Sequence, residues 1–215
     1  MKRARAPEQK LERRQALLDA AAQCFLNNAH RLPSCAEVAR TAGVAKGTVY
    51  LYFKTKEAIF LALLGHQLVQ LLGRLEALAE HPLSDDAGST TGKRLAQLFL
   101  EFSSEQPSFL PLSALLQSVL EQNLDHDTLI AFKRRVAESL HRVGLTLEGH
   151  FQLAPGQGSR ALLHSYASLV GLWQMVQWPR QLEAVKEAPE LAPLKRDLEE
   201  EVTWVLERIW RKERD

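Results

Sequence analysis

Lys46 and Tyr50 stand four residues apart within the tract Ser34–Lys56, SCAEVARTAGVAKGTVYLYFKTK. On a helix that spacing puts them on one face. An ammonium beside a phenol suits phosphate, because the lysine supplies charge and the tyrosine a hydroxyl on a rigid arm. The same face carries no large aliphatic residue and fits a major groove about 12 Å wide. Lys56 adds a second ammonium in the first turn of a following helix, where free amides also attract anions. The chemistry on offer is contact with a polyanion.

Other reactive patterns are missing. The seven histidines, His30, His66, His81, His126, His141, His150 and His164, include no metal-binding pair such as HExxH. Asp125-His126-Asp127 opens a helix, where acids act as caps. No GxSxG, P-loop or dinucleotide fingerprint occurs, so no enzyme, cofactor or metal is expected. Cys24 and Cys35 form neither a disulfide framework nor a zinc site and suit a reducing cytoplasm. Cys24 reads as core beside Phe25. Cys35, near a helix start, is a candidate redox thiol, though a small residue tolerated beside a ligand is the plainer reading.

The elements that must position Lys46 and Tyr50 can be read from periodicity and caps. A first helix over Pro7–Asn28 buries Leu18, Ala21, Ala22 and Phe25 on one face. After a loop at Ala29–Pro33, Ser34 with Glu37 makes a reciprocal capping box for a second helix reaching Thr41. Gly43 permits the turn, and a third helix spans Ala45–Tyr52. Val38, Ala39, Val44, Val49 and Phe53 form a small shared core. Thr55 caps a fourth helix reaching Glu80.

Beyond it, His81–Gly92 is a loop dense in turn formers. Further helices are expected over Thr91–Glu105, from Pro107 to Asn123, and over Asp125–Phe151. Ala154–Ser159 breaks the chain before a helix ending at Trp178. A last helix from Pro193 carries Leu194, Leu198, Val202, Val205, Leu206 and Ile209 on one stripe. The fold is therefore all-α, with about nine helices and a three-helix head joined by the fourth helix to a helical body. The expected domains are 8–55 and 56–215.

Charge supports that division. Between Met1 and Lys56 eleven Lys or Arg face four acids, a net +7, while the whole chain carries only +1. A basic head on an acidic body places any polyanion at the head. No apolar run approaches the ~18 residues of a membrane span, and the basic start lacks a signal-peptide core. No membrane partner is expected.

Helix one, the Ser34 cap and the tract TVYLYFKTKEAI at residues 48–59 resemble the DNA-binding domain of the tetracycline-repressor family. The resemblance is strong over Leu11–Leu64 and architectural beyond. It implies that Ser34 and Cys35 approach phosphate and that Ala45, Lys46, Gly47 and Thr48 open a recognition helix. It further implies that Tyr50 and Tyr52 contact backbone and Lys56 a phosphate. Cys35 and Ala45 depart from it, since longer polar side chains there would read bases; Lys46, Thr48 and DNA shape are left to do so.

The resemblance also implies a small-molecule effector held among helices four to eight. Phe102, Gln106, Phe109, Gln117, Phe132, Tyr166, Trp173, Gln174 and Gln177 are the candidate lining, being apolar and amide groups on helices expected to be partly buried. Phe99, His141 and His164 share that character. A homodimer through the last two helices is implied as well. Trp173, Trp178, Trp204 and Trp210 are expected on those helices and suit an interface or a monomer core equally. The expected protein is a cytoplasmic, homodimeric repressor of a near-palindromic operator, with an activator or a helical adaptor as alternatives.

Overall fold

The computed structural model describes residues 5–27, 31–80, 91–182 and 184–211. Among the described residues there are nine α-helices and no strand. They are α1 (Arg5–Asn27), α2 (Cys35–Thr41), α3 (Lys46–Tyr50), α4 (Lys56–Glu80), α5 (Thr91–Glu105), α6 (Phe109–Leu115), α7 (His126–Phe151), α8 (Gln157–Met175) and α9 (Leu198–Ile209). The Ala29–Pro33 loop lies partly, and the His81–Gly92 loop almost wholly, outside the described residues.

Three helices depart most from the sequence reading. Helix α6 runs into a π-helix at Leu116–Leu120 and a 3-10 turn at Glu121–Asn123 instead of staying regular to Asn123. A π turn adds a residue, and it leaves Gln117 and Ser118 exposed while Leu120 is buried. Helix α8 stops at Met175, because Pro179 disfavours helical backbone just ahead of it. Trp178 therefore lies beyond the helix. Pro193 sits inside a 3-10 turn, Pro189–Leu194, and α9 starts later, where Asp197 accepts from the Glu200 N–H at 2.9 Å. A side-chain cap, which satisfies a free amide, outcompetes the proline start.

The chain divides into two compact units, one of Met1–Leu68 with Pro107–Val136 and one of Val69–Gln106 with Ala137–Asp215. In the first, Leu17, Leu18, Ala21 and Phe25 of α1 are buried with Val38, Val49, Ile59 and Phe60. The Phe25 and Phe60 rings lie 5.7 Å apart, tilted by 47°. Each such ring contributes about 2–3 kcal/mol by leaving water. Gln67 of α4, itself buried, donates to Ser108 Oγ at 2.9 Å.

In the second unit, Leu95, Phe99 and Phe102 of α5 are buried, as are Val202 and Leu206 of α9. A Cβ on Gly92 would lie 2.4 Å from Glu207 Cα, so α5 meets the backbone of α9 directly. A Cβ on Gly158 would fall 2.2 Å from the Gly144 carbonyl oxygen, which brings α7 and α8 equally close. Trp210 is buried in this unit; its indole N–H donates to Ser165 Oγ at 2.9 Å, and its ring lies 6.0 Å from Phe151. Trp210 is thus monomer core, whereas Trp204 is 55% exposed.

The stretch Lys56–Ala79 is long and apolar enough by composition to cross a membrane. This differs from the expectation of no such run, since His66, Gln67, Gln70 and Arg74 punctuate the helix and hide its apolar character in the sequence. Its Ile59, Phe60, Leu64, Leu71 and Leu75 are buried within the protein.

Candidate nucleic-acid interface

Helix α2 is only seven residues long, so its start must be held by side chains. Ser34 Oγ accepts from the Glu37 N–H at 3.3 Å, and the Glu37 carboxylate accepts from the Ser34 N–H at 2.8 Å. The capping box is complete. Arg31 then donates twice to the same carboxylate, at 2.6 and 3.1 Å. The Arg31 hydrogen bonds, followed by those from Ser34, pull the Glu37 carboxyl down to about 2. The acid that fixes this helix is therefore a carboxylate at any physiological pH.

Between α2 and α3 the chain turns at Gly43, whose φ of +65° is left-handed backbone that a side chain would strain. Val38, Ala39, Val49 and Phe53 are buried beneath the turn, with Val44 half-buried. Cys24 Sγ reaches Thr41 Oγ1 at 2.9 Å and ties α1 to α2. Guanidinium stacking holds the far end, where Arg14 lies 5.2 Å from the centre of the Phe53 ring.

The outer face is the one the spacing anticipated. Lys46 Nζ stands 5.9 Å from the centre of the Tyr50 ring, and Tyr50 is 48% exposed. Ala45, Lys46 and Gly47 are exposed and Thr48 is half-buried. Thr55 Oγ1 accepts from the Ala58 N–H at 3.1 Å and so caps α4, as expected. Lys56 Nζ is 3.9 Å from Glu57 Oε1, a surface pairing too weak to withdraw it from another anion. Tyr52 is half-buried.

Cys35 differs from expectation. Its side chain is buried, 6% exposed, as the first residue of α2 facing the core. It stands neither at the surface as a reading position nor as an accessible thiol. Two residues went unnoticed in the sequence. Leu51 is 79% exposed at the end of α3, and Lys54 is exposed in the turn before α4. Their place in the aromatic-rich tract was the available signal.

The nine candidate lining residues are scattered. Phe102 and Phe109 are fully buried; Gln106, Phe132, Tyr166 and Trp173 are half-buried. Gln117, Gln174 and Gln177 are exposed, as are His141 and His164, so the expected partial burial of these polar groups is corrected. The π turn at Leu116–Leu120 accounts for Gln117 and the early end of α8 for Gln177, while Gln174 lies on an exposed face of α8 itself.

A short helix pair, its first member capped by Ser34 and Glu37 and its second presenting Lys46 and Tyr50 from a basic segment, defines a helix-turn-helix DNA-binding regulator. Residues 17–63 match the model for bacterial regulatory proteins of the tetR family, and residues 66–211 match a tetracyclin repressor-like C-terminal domain. The chain belongs to the tetR family of transcriptional regulators, whose members are not enzymes.

The chain is 36% identical over 69 residues to the "Fatty acid metabolism regulator protein" of Bacillus subtilis (strain 168), an alignment spanning 32% of this chain and 36% of that one. The chain thus matches about a third of that relative's length. The structure of the fatty acid degradation regulator FadR from Bacillus halodurans superposes with a TM-score of 0.56 at 16% identity, covering 93% of this chain and 95% of that one. The Bacillus subtilis FadR, solved in complex with stearoyl-CoA, gives 0.51 at 21% identity, over 91% and 97%. These likenesses establish the shared fold.

Proposed function

We propose that this regulator is a homodimeric repressor that acts in the cytoplasm and is released from a near-palindromic operator by a small-molecule effector. The observation that carries the reading is the Lys46–Tyr50 pair on the outer face of α3, 5.9 Å from ammonium to ring, supported from behind by a completed capping box. Residues 8–55 act as the DNA-binding domain and 56–215 as the effector and dimer domain. Ser34, Tyr50, Tyr52 and Lys56 position the backbone; Lys46, Thr48 and the backbone at Ala45 and Gly47 approach the bases. Cys35 contributes only its amide at the start of α2.

A dimer is supported by apolar side chains left in water on the last two helices. Leu163, Met175 and Trp204 are each more than half exposed. Two heads spaced about one turn of DNA apart multiply the specificity that a five-residue α3 alone lacks. For the effector, the fatty-acid regulator likeness favours a long-chain acyl thioester. Such a ligand releases DNA only by its different affinity for the two states.

Selection of bound duplexes from a random pool, with and without an acyl-CoA, tests the reading. A two-fold symmetric site that is lost on adding acyl-CoA is expected. Normal duplex binding by Lys46→Ala, Tyr50→Phe and Lys56→Ala together overturns the assignment.

A further inference from the structure

Within the first unit, α1, the turn before α4, the first half of α4 and the start of α7 enclose a half-open cavity of about 350 Å³. That volume falls in the range of small-ligand sites. Its walls are aromatic and aliphatic, with Phe53, Phe132, Leu61 and Ala62 among them, and its charged groups are Arg14, Lys54, Arg135 and Asp125. Asp125 is engaged elsewhere as the cap of α7, accepting from the Thr128 N–H and hydroxyl, both at 2.9 Å. Neither Arg14 nor Arg135 forms an ion pair or hydrogen bond with any described residue.

Two guanidiniums facing one apolar space, whose lining carboxylate Asp125 is held by Thr128 and not by either of them, are an unbalanced arrangement. Their fields are felt nearby. Burial, with Arg135 repelling it, lowers the affinity of Arg14 for its proton, and burial with both arginines does the same to His66, opposed only by Asp19. An oxyanion is the group that balances such a pair, since a guanidinium fork binds it through two hydrogen bonds. The apolar walls call for a hydrocarbon body on that oxyanion. Phe132 packs against Gly65, where a Cβ would sit 3.3 Å from two carbons of its ring.

We propose that this cavity binds a compact amphipathic anion, a carboxylate or phosphate monoester on an apolar body, with Arg135 and Arg14 on the oxyanion and Phe53 and Phe132 on the body. The site goes beyond the effector reading above, which rests on a likeness to other proteins and shares only Phe132 with this cavity. Because Tyr52, Phe53, Lys54 and Thr55 line the cavity, its occupant touches the turn that joins the reading helix to α4. Occupancy is consequently linked to DNA affinity, and the linkage is reciprocal.

Calorimetric titration of the full chain with octanoate, octyl phosphate, 1-octanol and inorganic phosphate tests the site. Binding of octanoate or octyl phosphate at one per chain, with octanol and inorganic phosphate at least about tenfold weaker, is the expected result, and the tighter of the two identifies the oxyanion. Arg135→Gln, at an exposed position, should weaken the anions by about tenfold and leave octanol unchanged. Ala62→Trp, which fills the cavity, should abolish binding at unchanged helicity; if it fails to fold, Arg135→Gln decides alone. Equal affinity for octanol and octanoate, or indifference to Arg135→Gln, overturns the proposal. So does a loss of DNA affinity and salt dependence in Arg135→Gln without ligand, which would assign the guanidiniums to DNA phosphate. With the selected operator duplex, ligand should shift the affinity of the wild type and not of Arg135→Gln; no shift in the wild type overturns the linkage. Loss of DNA binding by Lys46→Ala with octanoate affinity intact keeps the two readings separate.

Discussion

The reading head and the second unit are held together by different means. In the head, α2 and α4 are fixed by side chains within a few residues of their starts, Ser34 with Glu37 and Thr55 with the Ala58 amide. In the second unit, helices are fixed by what they lack. Gly92 admits the backbone of α9, Gly144 admits Ser159, and Gly158 admits the Gly144 carbonyl. Local capping makes a part that tolerates exposure to a ligand on its outer face. Backbone contact between glycines makes a part whose geometry depends on partners far along the chain.

That contrast can be broken most forcefully at the glycines. Gly92→Ala places a Cβ 2.4 Å from Glu207 Cα, where only backbone can give way, so a loss of about 3 kcal/mol in urea unfolding is expected. A loss below about 0.5 kcal/mol would show that α5 and α9 slide freely and would remove the contrast. Lys46→Ala should cost about 1–3 kcal/mol of operator affinity and lower the salt slope by about one, measured by fluorescence anisotropy over a salt series. Stability should not move, because Lys46 is exposed.

Ser34→Ala tests the head's own fixing. Loss of the cap should lower stability by about 1 kcal/mol, seen as a reduced melting temperature. Ser34→Asp, which keeps an acceptor at the cap, should recover part of it.

The smallest effect is the acid dependence of the same cap. Glu37 titrates at about 2 in the folded head against 4.5 when unperturbed, so the unfolded chain takes up protons first as pH falls. The stabilisation is complete above about pH 4.5 and is lost on descending toward pH 2. Glu37→Gln should flatten that part of the stability profile; an unchanged slope would place the acid sensitivity elsewhere.

Legibility followed the same line. The capping box, the Gly43 turn, the Lys46–Tyr50 face and the Thr55 cap are relations within a few residues, and all were readable from residue types. The burial of Cys35 was not, because a first-turn position faces core or solvent according to how α2 lies on its neighbours. The π turn at Leu116–Leu120 answers to tertiary packing, and so escaped a periodicity of 3.6. Pro193 misled because proline suits a helix start, whereas Asp197 offered a hydrogen bond. Arg14 and Arg135 lie 121 positions apart, and nothing local in either segment announces that they share a cavity.

The indole of Trp210 gives the second unit an internal gauge. Sealed from water and hydrogen-bonded to Ser165, it should emit at short wavelength and exchange its N–H slowly, while the exposed Trp204 should emit like free tryptophan. With Trp173, Trp178 and Trp204 replaced by phenylalanine, the remaining emission would report the seating of α9 against α8 in real time. Whatever an effector does to those two helices can then be followed by light, without a label.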